Sequence, residues 1–186
     1  MNILIVAGGT GGHVYPALSI AKEFQNDVNT IFWIGKKDSL EENIAFREDF
    51  SFFKINARGF LGKNFFAKIN SIFFVFGALI KSFFLISNIK PDIIITTGGY
   101  LSLAPGLIGS LFCPLFIHEQ NSVPGLSNRI LHKRSKISFE AFSDLWDIRH
   151  RRIGVLIILL FYAFFPGELG EVTRSSLFDA YIQVTV

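Results

Sequence analysis

The stretch Gly8-Gly9-Thr10-Gly11-Gly12-His13 sits between a short apolar run, residues 3–7, and a stretch with helical spacing of apolar residues. Glycines in that place let backbone N–H groups approach an anion closely, while the amino end of the following helix adds its positive partial charge. A diphosphate suits such a loop. A tight turn with close helix packing would also account for the glycines. The stretch is not the dinucleotide fingerprint, because G-x-G-x-x-G counted from Gly9 puts Val14 where a glycine is required. It is not a Walker loop either, since no Gly-Lys-Ser/Thr follows.

Two further clusters repeat the arrangement. Gly98-Gly99-Tyr100-Leu101-Ser102 places a second glycine pair between an apolar run and a helical stretch, so two amide-lined helix ends can face one cleft. His118-Glu119-Gln120-Asn121 follows a third apolar run and offers donors and acceptors suited to sugar hydroxyls. His118, Glu119 and Gln120 are candidates for orienting neighbours rather than reacting. The cluster lacks the second histidine of H-E-x-x-H, which argues against zinc chemistry, and no metal or other cofactor is expected. His13 has two readings: an imidazole, with its ordinary pKa of about 6.5, suits removal of a proton from a hydroxyl, and a helix start also uses such a residue to shape a loop.

The elements that must hold these clusters follow from periodicity. Residues 3–7, 30–34, 92–97 and 115–117 are continuous apolar runs of strand length ending in glycine or polar residues, the pattern of strands buried on both faces of a parallel sheet. Residues 14–24, 103–112 and 126–132 read as helices, with Pro16 and Pro105 expected in first turns, where a missing N–H costs nothing. The alternation predicts a doubly wound α/β sheet with its functional loops at the carboxyl ends of the strands.

Composition narrows the function classes. The chain has 186 residues, half of them hydrophobic, and 22 phenylalanines, a bias that coding-DNA composition alone can produce. A net charge of +3 and the lack of basic blocks interleaved with aromatics argue against nucleic acid as a partner. One cysteine, Cys113, provides neither a disulfide framework nor metal-ligand spacing. The amino terminus has no basic region before its apolar run, so no signal peptide is expected. Residues 72–80 and 153–165 are both shorter than a membrane span requires.

Residues 65–89 read as a helix that is apolar nearly all round. Its surface carries Phe65, Phe66, Phe73, Phe76, Leu79 and Phe83, interrupted by Lys68 and Lys81. Such a helix is either packed on several sides or forms a lysine-rimmed patch on an anionic membrane surface.

Taken together and in order, GGTGGHVYPAL, TGGYLSLAPGL and HEQNSVPGLSNRIL resemble the MurG family of bacterial peptidoglycan glycosyltransferases, over residues 1–142. The resemblance implies a Rossmann-like sheet forming the amino-terminal, acceptor-side half of a GT-B enzyme, whose active site lies in a cleft between two domains. It implies transfer of N-acetylglucosamine from UDP-GlcNAc to the MurNAc C4 hydroxyl of lipid I, with inversion and without a covalent intermediate. Residue by residue, Thr10, Gly11, Gly12 and Asn121 match positions near the donor sugar. Gly8, Gly9, Gly98, Gly99 and Tyr100 match the loops proposed to cradle the acceptor diphosphate, and His13 matches a proposed catalytic histidine. The family docks on the cytoplasmic face of the bacterial inner membrane through an apolar patch with basic neighbours, so a peripheral location there is implied.

Residues 143–186 do not continue the pattern: a basic cluster and an apolar run precede a polar coda with no clear period. The Asn-Pro-x-Arg segment, third glycine loop and ribose-reading acid of the family do not appear there. The expectation is a chain with little or no transfer activity alone, and the alternative is a membrane-associated acceptor-binding subunit that works with a separate donor-binding partner.

Overall fold

The computed structural model describes residues 1–55 and 65–141, with the backbone alone for 65–75. The readings of 143–186, the apolar run 153–165 included, fall outside the described residues. The strands are β1 (Asn2–Ala7), β2 (Thr30–Gly35), β3 (Ser51–Lys54), β4 (Ile93–Gly98), β5 (Leu115–Glu119) and β6 (Ile137–Glu140). They form one six-stranded sheet in the order β3-β2-β1-β4-β5-β6, every pair parallel. Chain order reverses between β1 and β4, so the helices that follow these two strands pack on opposite faces and leave a crevice at the strands' carboxyl ends.

Side-chain alternation along β1 divides the core. Ile3, Ile5 and Ala7 point to the face covered by α1 (Gly11–Phe24) and α2 (Leu40–Arg47), where they meet Val14, Ala17, Ala21 and Ile44. Leu4 and Val6 point to the opposite face, covered by α3 (Phe65–Ile89), α4 (Leu103–Gly109) and α5 (Leu126–Leu131). Each fully buried Ile or Leu adds about 1.5–3 kcal/mol relative to leaving it in water. The buried Trp33 indole donates to the Ala7 carbonyl at 3.0 Å and so ties β2 to the tip of β1. The β1–β4 register shifts at the same point, between Val6 and Ala7.

Several boundaries differ from the expectation. α1 begins at Gly11, not residue 14, because the amides of His13 and Val14 both donate to the Thr10 carbonyl, at 3.0 and 3.1 Å. Pro16 therefore stands inside the helix with its ring buried, and the Gly12 carbonyl loses the N–H it would receive from that position. α4 stops at Gly109 instead of Phe112. α2, β3 and β6 were not anticipated from the periodicity.

α3 is a helix over the expected range, and its described side chains divide between the core and the solvent. Ala78, Ile86 and Ile89 are buried in the core, whereas Phe76 and Phe84 are 64% and 62% exposed. Phe83, also exposed, lies edge-on to Phe84 and within 5.8 Å of Phe112. Lys81 is exposed beside them and Leu79 is half-buried, while the side chains of Phe65, Phe66, Lys68 and Phe73 fall outside the described residues. None of the described helices is long and apolar enough to cross a membrane.

Candidate active site

The loops after β1, β4 and β5 converge at the crevice. In the first, Gly9 has φ of +103°, a conformation that L side chains rarely adopt, and Thr10 stands at the N-cap of α1 without a side-chain capping bond. The first amides of α1 are thus left for water or a ligand. In the second loop Gly98 and Gly99 have φ of +97° and +86°. A Cβ on Gly99 would stand 2.8 Å from the Gly8 carbonyl oxygen and 3.5 Å from His13 Cδ2. The two glycine loops therefore touch, and any side chain at residue 99 would push them apart. Exposed Tyr15 and Tyr100 stand beside the first loop, the Tyr100 ring within 3.6 Å of where a Cβ of Gly9 would be. The Ser102 hydroxyl donates to the Gly99 carbonyl at 2.7 Å, closing the turn into α4.

His13 lies between the loops, half-buried. Thr97, the residue before Gly98, holds it twice: the Thr97 hydroxyl donates to the His13 carbonyl at 2.7 Å, and His13 Nδ1 lies 2.8 Å from the Thr97 carbonyl. The Gln120 side-chain amide reaches the same Nδ1 at 2.6 Å from the third loop. His13 Nε2 has no hydrogen-bond partner among the described residues and is not one of their buried unpartnered atoms, so it keeps access to solvent.

Glu119 organises the third loop. Its buried carboxylate accepts from the Asn121 backbone and side-chain amides, both at 2.9 Å, through Oε1. Through Oε2 it accepts from the Gly125 amide at 3.1 Å and from Asn128 Nδ2 at 2.9 Å. A carboxylate so fully bonded shapes the loop, and Asn121 stands exposed at its surface. His118 points into the interior with neither ring nitrogen bonded. Burial pushes its pKa down to about 4, and charge on His13 adds to the shift, so His118 is neutral near pH 7.

The sequence reading missed three contributors. Thr97 acts through its carbonyl, which any residue would offer, and through its hydroxyl bond to the His13 carbonyl. Asn128 reaches Glu119 only through the fold of α5. Glu41 is buried next to Gly8, where its Oε1 accepts from the Lys36 amide at 3.0 Å and leaves no room for a Cβ on Gly8. Of the membrane-patch candidates, Phe76, Leu79, Lys81 and Phe83 have described side chains, and these lie on α3, away from the loops after β1, β4 and β5 in the chain. A cavity of about 460 Å³ lies at the β3 edge between Phe46, Phe52, Lys54 and Lys81, and Lys81 is the one expected site residue it holds.

A parallel sheet in this order, with glycine-lined loops at its switch point, defines a Rossmann-like domain. The chain belongs to glycosyltransferase family 28: the model of the Glycosyltransferase family 28 N-terminal domain matches residues 3–140. Two curated relatives share the name UDP-N-acetylglucosamine–N-acetylmuramyl-(pentapeptide) pyrophosphoryl-undecaprenol N-acetylglucosamine transferase. That of Vesicomyosocius okutanii is 38% identical over 144 residues, 77% of this chain and 42% of the relative. That of Wigglesworthia glossinidia brevipalpis is 44% identical over 135 residues, 72% of this chain and 37% of the relative. The crystal structure of Acinetobacter baumannii MurG superimposes with a TM-score of 0.71 at 28% identity, covering 82% of this chain and 44% of that one. The chain thus spans about two fifths of the length of the curated relatives it matches.

Proposed function

We propose that this chain supplies the acceptor-side wall of an inverting N-acetylglucosaminyltransferase of peptidoglycan synthesis. The acceptor diphosphate lies against the Gly8-Gly9 and Gly98-Gly99 loops, Thr10 to Gly12 and Asn121 face the donor sugar, and His13 is the base. In the reaction His13 Nε2 takes the proton of the MurNAc C4 hydroxyl of lipid I as that oxygen bonds to the anomeric carbon of N-acetylglucosamine. The bond from that carbon to the diphosphate of UDP breaks on the opposite side, giving inversion and no covalent intermediate. The observation that carries this reading is the seat of His13: between two touching glycine loops, with Nδ1 anchored and Nε2 accessible.

Residues 1–141 supply one wall of the cleft. Holding two substrates in reacting geometry is worth roughly 7–11 kcal/mol, and it needs a second, donor-binding wall. We therefore expect little transfer from this chain alone and recovery when a donor domain is joined to it or added as a separate subunit. A lipid I acceptor places the site next to a bilayer, and the exposed Phe76, Phe83 and Phe84 with Lys81 support peripheral docking on an anionic surface, the cytoplasmic face of the bacterial inner membrane.

The test is transfer of labelled N-acetylglucosamine from UDP-GlcNAc to a lipid I analogue. The chain is assayed alone, mixed with the carboxyl-terminal half of the Vesicomyosocius okutanii relative, and fused to it after residue 142. The expected result is no transfer alone and measurable transfer from the fusion, reduced about 10²–10⁴-fold by His13→Ala. Transfer from the mixture as well would favour a two-subunit enzyme. A His13→Ala fusion as active as its parent would remove His13 from the chemistry.

A further inference from the structure

We propose that Gln120 is a positioning residue: with the Thr97 carbonyl it fixes His13 as the Nδ1–H tautomer, so that the lone pair of Nε2 faces the crevice. The inference rests on the reading of His13 as the base and adds to it the group that sets the base in its working form. A carbonyl oxygen can only accept, so the 2.8 Å contact between Nδ1 and the Thr97 carbonyl requires the proton on Nδ1. The Gln120 side-chain nitrogen, at 2.6 Å from the same Nδ1, would then be a donor facing a donor. The oxygen and nitrogen of a glutamine amide exchange places by a half-turn and are assigned from the hydrogen bonds they make. Gln120 Oε1, meanwhile, is a buried acceptor with no partner.

Turning the amide removes the donor–donor contact and moves the NH2 group to the buried position of Oε1, where it has no partner among the described residues. Oε1 then meets Nδ1–H, and the proton is shared between two acceptors. The opposite assignment, with the Gln120 N–H donating to a bare Nδ1, sets the Nδ1 lone pair against the Thr97 carbonyl. It also puts the ring proton on Nε2, where the imidazole cannot take a proton from a hydroxyl. The Thr97 hydroxyl also holds the His13 backbone, through the His13 carbonyl at 2.7 Å.

The experiment is long-range ¹H–¹⁵N correlation on the full chain labelled at histidine, at alkaline pH where the imidazoles are neutral. The four histidines are few enough for His13 to be assigned by its loss in His13→Gln. The expected wild-type signal is Nδ1–H. Gln120→Leu should lower the ratio of Nδ1–H to Nε2–H about 2- to 12-fold, the worth of one neutral hydrogen bond, and Gln120→Glu, which offers only acceptors, should restore it. A wild-type His13 protonated at Nε2, or a ratio unmoved by Gln120→Leu in a chain whose backbone spectrum is intact, overturns the proposal. The wild-type measurement needs only the His13→Gln chain, to assign its signal. The readout also needs no transfer: an Nδ1–H His13 whose replacement leaves the fusion active would sink the base and leave the positioning intact.

Discussion

At the carboxyl ends of β1, β4 and β5, hydrogen bonds hold His13 and Glu119 in place, and Gly8, Gly98 and Gly99 leave no room for a Cβ. Along α3, between Phe76 and Phe84, large apolar side chains meet solvent. The first region depends on residue type at single positions, because a Cβ or a lost acceptor there displaces a neighbour that cannot move. The second depends on apolar bulk, which several residues supply together. Single substitutions should therefore act in opposite ways in the two regions.

One change of the same kind can be made in both. Gly99→Ala puts a Cβ at φ of +86° and 2.8 Å from a backbone oxygen, so strain and overpacking add to an expected loss of about 4 kcal/mol in urea unfolding. Gly77→Ala, in the interior of α3 with nothing within 4 Å of the new Cβ, should gain about 0.5–1 kcal/mol from helix propensity. Equal effects at the two sites would break the contrast.

The second prediction concerns the cost of leaving His118 unbonded in the interior. Its pKa in the fold, about 4, lies below its ordinary value of 6.5, so the unfolded chain takes up the proton first. Its contribution to stability is complete above about pH 6.5 and is lost as pH falls toward about 4, roughly 3 kcal/mol in all. His118→Leu should flatten the dependence of the urea midpoint on pH over that window. The wild-type slope surviving in His118→Leu would place the titration elsewhere.

How much of this was legible in the sequence follows the same division. The glycine loops and β1, β2, β4 and β5 were readable because continuous apolar runs ending in glycine admit few other structures. α2 left a sign that was not used: Ser39 stands three residues before Glu42, and its hydroxyl accepts from the Glu42 amide at 3.3 Å. β3 and β6 are four-residue edge strands, too short to show a period. Which side of α3 is exposed could not be read, because a helix apolar nearly all round has no periodicity to mark the face that α4 and the sheet cover. Thr97 and Asn128 were hidden for another reason: Thr97 acts on His13, 84 residues away in sequence, and Asn128 reaches Glu119, nine residues back, only once α5 has formed.

The smallest expected effect on stability carries the other half of the comparison. Phe76 and Phe84 are 64% and 62% exposed, so replacing either by serine removes little buried area and should shift unfolding by no more than about 0.5 kcal/mol. If this face docks on a bilayer, each ring transfers from water into the acyl boundary, a gain of about 1.5–3 kcal/mol. Each serine variant should then bind vesicles containing anionic lipid about 10-fold or more weaker in flotation, and Lys81→Glu should weaken binding most at low salt, where charge is least screened. Unchanged flotation would remove the membrane from the account of α3. A loss of stability well above 1 kcal/mol would mean that another part of the chain covers these rings, and the two regions would then differ in what packs against them instead of in what they are built to meet.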